Sequence, residues 1–249
     1  VDTWNRDFSV LDSYRGINAN MHTVEAFLAA ADVTGDRLWL DRASRVAAFA
    51  VAQAEANKWR LPEHYDSDWT PQLELNVDRP DDKFKPYGAT IGHGLEWARL
   101  LLHLEAAGAT GVEWLPAAAA LFDRAIADGW HADGADGFVY TTDWSGRPVV
   151  RDRMHWVTAE AIGASAALFR RTGDHTYSTL YARYWDYAER NVFDHDLGSW
   201  HHQLDPQNRP ADSVWPGKAD LYHAVQATLI PTMPLAPSLA TALARGVHA

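Results

Sequence analysis

Four histidines open apolar, alanine-rich stretches of the chain, and each is followed shortly by an acid or an amide: His22 with Glu25, His93 with Glu96, His155 with Glu160 and His223 with Gln226. Residues three apart on a helix share a face, so such a pair can hold a proton and orient the ring that carries it. Histidine suits proton transfer near neutral pH because its ordinary pKa is about 6.5. In the first turn of a helix the macrodipole favours the neutral, proton-accepting ring, while a nearby carboxylate opposes that shift.

The elements that must position these groups repeat with them, at roughly 65 residues. Apolar spacing predicts helices over residues 21–31, 38–57, 90–107, 113–129, 154–171, 174–192, 219–229 and 238–245. Asn18 or Asn20 is expected to cap the first and Asp36 the second. Thr34-Gly35-Asp36 returns as Thr172-Gly173-Asp174, each the tight corner of a helical hairpin. The histidine-headed helices are poor in charge, as fits burial on most sides, and their partners are more amphipathic. Four hairpins of this kind stack into a closed or curved solenoid. Long connections rich in aromatics follow the outer helices, among them Glu63 to Trp69, where a small strand pair is expected, Gly137 to Gly146 and Gly198 to Asp205. Connections of this length ordinarily carry function, so the rim of a site is placed there.

The 249 residues suffice for one large domain, 1–249, with a sizeable core. A net charge of −11, with neither a basic patch nor a basic helix, argues against nucleic acid and anionic membrane as partners. Twelve Trp and nine Tyr suit stacking on a small, flat, polar ligand such as a sugar. There are no cysteines, hence no disulfide and no thiolate metal site. No apolar run reaches the roughly 20 residues of a spanning helix, and the start at Val1 lacks both an initiator Met and a signal-peptide layout. The expected setting is the cytoplasm; self-association into a homo-oligomer is left open.

Taken in order, Asn18-Ala19-Asn20-Met21-His22-Thr23-Val24-Glu25-Ala26, Pro86-Tyr87-Gly88-Ala89-Thr90-Ile91-Gly92-His93-Gly94-Leu95-Glu96-Trp97, His155-Trp156-Val157-Thr158-Ala159-Glu160-Ala161 and Trp215-Pro216-Gly217-Lys218-Ala219-Asp220-Leu221-Tyr222-His223-Ala224-Val225-Gln226-Ala227 cover essentially the whole chain. As a set they resemble the N-acylglucosamine 2-epimerase superfamily, in its aldose–ketose isomerase branch. The resemblance implies an all-α, (α/α)6-barrel-type toroid with short β-hairpins in the rim loops. This chain would supply its C-terminal two-thirds, about four hairpins, and the arginine and aromatic groups of the family's N-terminal part have no counterpart before Tyr14.

The resemblance further implies a cofactor-independent isomerase acting on a free hexose, such as D-mannose to D-fructose, through a cis-enediol. His223 and His93 become the acid/base pair, with His223 moving the proton between C1 and C2 and His93 assisting at the sugar oxygens. His22 is expected to bind hydroxyls, and Glu96 to fix His93 or a hydroxyl. Lys83 and Lys85 stand where the family presents an arginine, offering point charges in place of a bidentate fork. Trp156 either stacks on substrate or packs the barrel, Trp215 is placed among the substrate-binding residues, and Lys218 and Asp220 either bind substrate or pair with each other. Alternatives are a sugar 2-epimerase, an inverting glycoside hydrolase using two of Asp68, Asp143 and Asp205, and an inactive sugar-binding fragment.

A lone histidine on an alanine-rich helix is ordinarily structural, which is the reading for His103, His175 and His195. In His201-His202, strand alternation turns only one ring inward. The acids at matching positions are too few for a catalytic metal, and there is no His-Glu-x-x-His run, so no metal is expected.

Overall fold

The computed structural model describes residues 3–246, so the two ends of the expected 1–249 domain lie outside the described residues. Its helices are α1 (Ile17–Thr34), α2 (Arg37–Ala56), α3 (Ile91–Ala106), α4 (Trp114–Gly129), α5 (His155–Thr172), α6 (His175–Tyr187), α7 (Leu221–Leu229) and α8 (Leu239–Arg245). Two-residue strands precede α1 or lie in the connections: β1 (Thr3–Trp4), β2 (Leu11–Asp12), β3 (Arg15–Gly16), β4 (His64–Tyr65), β5 (Ala89–Thr90), β6 (Thr141–Thr142), β7 (Arg153–Met154), β8 (Gln203–Leu204) and β9 (Pro210–Ala211).

Helices α1, α3, α5 and α7 pack side by side in chain order or through their neighbours, α1 on α3, α3 on α5 and α5 on α7, while α2, α4 and α6 back the first three. The apolar positions explain the layering. Helix α3 buries Ile91, Leu95, Trp97, Ala98 and Leu100 to Leu102 on all sides, and α5 does the same with Val157, Ala161, Ile162, Ala164 and Leu168. The backing helices bury one stripe each; in α2 it is Leu40, Ala43, Ala47, Ala50, Val51 and Ala54.

The two Thr-Gly-Asp corners fold alike. Gly35 and Gly173 end their helices in the left-handed region at φ 68° and 71°, and Asp36 and Asp174 accept from the backbone N–H of Leu38 and Thr176 at 2.9 and 2.8 Å. The hydroxyls of Thr34 and Thr172 donate to the carbonyls of Ala30 and Leu168 at 2.7 Å.

The rim repeats as well. Strands β3, β5 and β7 run straight into α1, α3 and α5, and each pairs antiparallel with a strand of a later connection, β4, β6 and β8 respectively. A turn closed by an aspartate follows each of those partners. Asp66, Asp143 and Asp205 each accept, on one carboxylate oxygen, from the backbone N–H two and four residues on, at 2.8–3.0 Å. Asp143 and Asp205 are thus held by turn geometry.

Several expectations are corrected. Gly16, not Asn18 or Asn20, caps α1, because β3 delivers the chain in extended form up to that residue; Asn20 donates back to the Gly16 carbonyl at 2.7 Å. The strand within 63–69 pairs with β3 across the hairpin, joined locally only by a bridge between Tyr65 and Pro71. The helix expected to run from 174 to 192 ends at Tyr187 and widens into a π-turn, Ala188–Val192. A fourth hairpin of the same kind does not form: after α7 the chain passes through a 3-10 turn at Ile230–Thr232 and a proline-rich stretch, and α8 packs on α1.

Candidate active site

His93 and His223 each occupy the third position of a helix, α3 and α7, so both rings sit at the same end of the helix layer. Side chains of a helix lean toward its N-terminus, which carries the two rings back over the helix starts. Nδ1 of His93 lies 2.7 Å from a carboxylate oxygen of Glu63, and Nδ1 of His223 lies 3.0 Å from Glu160. A ring that donates from Nδ1 to a carboxylate keeps Nε2 as the acceptor. Neither Nε2 has a protein partner among the described residues, and the two side chains are only 14% and 15% exposed. Trp156 neighbours both, its ring 5.2 Å from that of His93 and 5.5 Å from that of His223 between centroids. The indole fits because residue 92 is glycine: a Cβ there would stand 2.1 Å from a Trp156 ring carbon.

Behind the rings lies a buried charge cluster. Arg99, two turns into α3, donates from Nε to Glu160 at 3.0 Å and reaches Glu25 at 3.4 Å, with Glu96 at 3.6 Å. One guanidinium therefore faces three carboxyls. Burial would raise the pKa of Glu160, but Arg99 and His223 more than offset it and hold this carboxyl below its ordinary value. Glu96, also fully buried, goes the other way: burial, then the charge of Glu160, raises it well above the carboxylate range. Glu25 is held at about 2; burial opposes this, and His22, Arg99 and Tyr222 overcome it. Its carboxylate takes Nδ1 of His22 at 3.0 Å and the Tyr222 hydroxyl.

Residues 1–227 match the family described as N-acylglucosamine 2-epimerase (GlcNAc 2-epimerase). The chain belongs to this family. It is 53% identical over 246 residues to a D-mannose isomerase of Thermobifida fusca, covering 98% of this chain and 60% of that protein. A D-mannose isomerase of Pseudomonas cannabina pv. alisalensis is 49% identical over 249 residues, again 60% of its length. Among solved structures, a D-mannose isomerase superposes with a TM-score of 0.85 at 33% identity, covering 92% of this chain and 59% of the other. A cellobiose 2-epimerase from Spirochaeta thermophila has a TM-score of 0.70 at 18% identity, a likeness of fold alone. The chain thus spans about 60% of the length of the curated relatives it matches.

Within this family frame the expected residues divide. His93, His223, Trp156 and Glu96 come together, and His22 joins them through Glu25 and through Tyr222, whose ring lies 5.9 Å from His22 and 4.8 Å from His223. The expected partners change. Glu63 takes His93 in place of Glu96, which stays one turn deeper beside Arg99. Glu160 serves His223, not His155, and Gln226 serves neither.

Lys83 rests over the Trp215 ring at 4.2 Å and Lys85 over Tyr14 at 3.9 Å, both on the 58–89 connection. Trp215 stacks on His202 at 5.5 Å. Lys218 and Asp220 do not pair: Lys218 binds Asp194 and the Gly198 carbonyl, while Asp220 caps α7 by accepting from the N–H of His223 at 3.0 Å and faces His155. The cap turns the Asp220 carboxylate toward the helix start and away from Lys218.

Glu63 and Arg99 carry no expected role from sequence. Glu63 lies 30 residues before His93, in a loop whose partner only the fold reveals; an arginine between the apolar positions of a helix buried on most sides was the available signal for Arg99.

Proposed function

We propose that this chain carries the proton-transfer centre of a sugar isomerase that interconverts a free aldohexose such as D-mannose with its ketose, D-fructose, and that its helices form one domain, an arc of an (α/α)6-type toroid. The observation that carries the reading is the matched pair His93 and His223, each with Nδ1 fixed on a buried carboxylate and Nε2 left to accept, and both beside the ring of Trp156. The names of the relatives support the substrate class.

In the proposed reaction Nε2 of His223 takes the proton from C2 of the open-chain aldose. The C–H electron pair forms the C1–C2 double bond, and the carbonyl pair moves onto O1. His93 serves the oxygens, accepting the proton that leaves O2 and passing it to O1, so that the cis-enediolate collapses to a C2 carbonyl as His223 returns its proton to C1. Glu160 and Glu63 stabilise the imidazolium that each ring becomes in turn. Trp156 offers a flat apolar surface for the sugar carbons, and His22 and Glu96 supply hydroxyl contacts.

Returning the proton to C2 from the other face would give a 2-epimerase on the same pair, the reading that the family description favours. Incubating mannose with the enzyme in deuterated water separates the two by NMR. Fructose labelled at C1 is expected; glucose labelled at C2, without fructose, would replace the isomerase reading with the epimerase one.

A further inference from the structure

Beside the proton-transfer pair, a second set of ligand-type atoms converges at the start of α7. Ring nitrogens of His155 and His202 and a carboxylate oxygen of Asp220 lie within 4.8 Å of one another. His155 is 1% exposed. Its Nδ1 faces the His202 carbonyl at 3.2 Å, which commits the proton of a neutral ring to that side. Its Nε2 stands 3.1 Å from Asp220 but out of line for a hydrogen bond, and makes none. The His202 ring is hydrogen-bonded to the Pro216 carbonyl, and its Nδ1 is likewise buried without a partner.

Two buried lone pairs and a carboxylate therefore face one point, and buried polar atoms left unpaired ask for an explanation. Each ring is oriented by a backbone carbonyl on its far nitrogen, the arrangement that fixes the tautomer of metal-bound histidines. The other two groupings of this type, His22-Glu25-Glu96 and Glu96-Glu160-His223, already have a cation between their carboxylates in Arg99.

We propose that His155, His202 and Asp220 bind one divalent first-row transition cation, with zinc as the reference, at a structural site that ties the starts of α5 and α7 to the connection carrying β8. Two imidazoles and a carboxylate match the donor preference of such ions and leave room for water. The site adjoins the proton-transfer pair, the His155 and His223 rings being 6.1 Å apart between centroids, but the Nδ1 atoms of His93 and His223 are bonded to Glu63 and Glu160.

The test is calorimetric titration of the chelator-stripped protein with zinc chloride, together with the visible spectrum of the cobalt(II) form. One equivalent per chain is expected, with affinity at least tenfold weaker in H202A and in D220N, whose asparagine still caps α7, and unchanged in H201A. Absence of micromolar binding by the native protein, or equal binding by H202A and D220N, overturns the proposal.

Discussion

His93 and His223 are held by the same bond, Nδ1 to a carboxylate, yet what stands behind the two carboxylates differs. Glu63 comes from a connection, accepts also from the Thr90 N–H at 3.3 Å, and its own carbonyl takes the Ile17 N–H at 3.0 Å, so it ties together the starts of α1 and α3. Glu160 comes from the middle of the helix layer and shares Arg99 with Glu25 and Glu96. One histidine is oriented by the rim and the other by the core. A change on the His93 side should therefore be read in rate, and one on the His223 side in rate and stability together.

The largest effect expected from breaking this comparison is on the rate itself. His223→Asn should lower mannose turnover by about a thousandfold in an active full-length form, with the circular dichroism spectrum retained; turnover near the native level would remove His223 from the proton path. Next, Arg99→Met leaves three carboxyls without their cation and should cost about 3–5 kcal/mol of stability, seen as a large drop in the midpoint of urea unfolding. Glu63→Gln, its counterpart on the rim, should lower kcat by about a hundredfold while the midpoint stays nearly fixed. If both variants shifted stability equally, the contrast between rim and core would fail.

The smallest effect sharpens the core side by pH. Burial depresses His103 to about 4, and its Nδ1 donates to the Leu235 carbonyl at 2.7 Å. The unfolded chain binds that proton near 6.5, so it holds more protons than the folded one between these values. Stability should fall as pH drops from about 6.5 toward 4, and His103→Gln should flatten that slope in thermal melts.

Parts of this were legible in the residues alone. The Thr-Gly-Asp corners are local devices, and both fold as expected. The helix-opening histidines were legible for the same reason, since apolar spacing and position in the first turn are properties of neighbouring residues. Their partners were not. The i, i+3 rule holds for His22 and Glu25, but His93 reaches Glu63 and His223 reaches Glu160, 30 and 63 residues away, because rings that lean over the helix starts meet whatever the rim and the adjacent helix present. Lys218 and Asp220 show the same limit: proximity in the chain suggested a pair, and the cap on α7 separated them. Asp143 and Asp205 are rim carboxylates that the sequence offers to a hydrolase, and their turns engage both.

The space at Gly92 has a consequence for inheritance. A Cβ at that position and the Trp156 indole cannot occupy α3 and α5 together, so positions 92 and 156 should change as a unit. Among descendants of this chain, loss of the glycine ought to appear only where the tryptophan has already given way to something smaller.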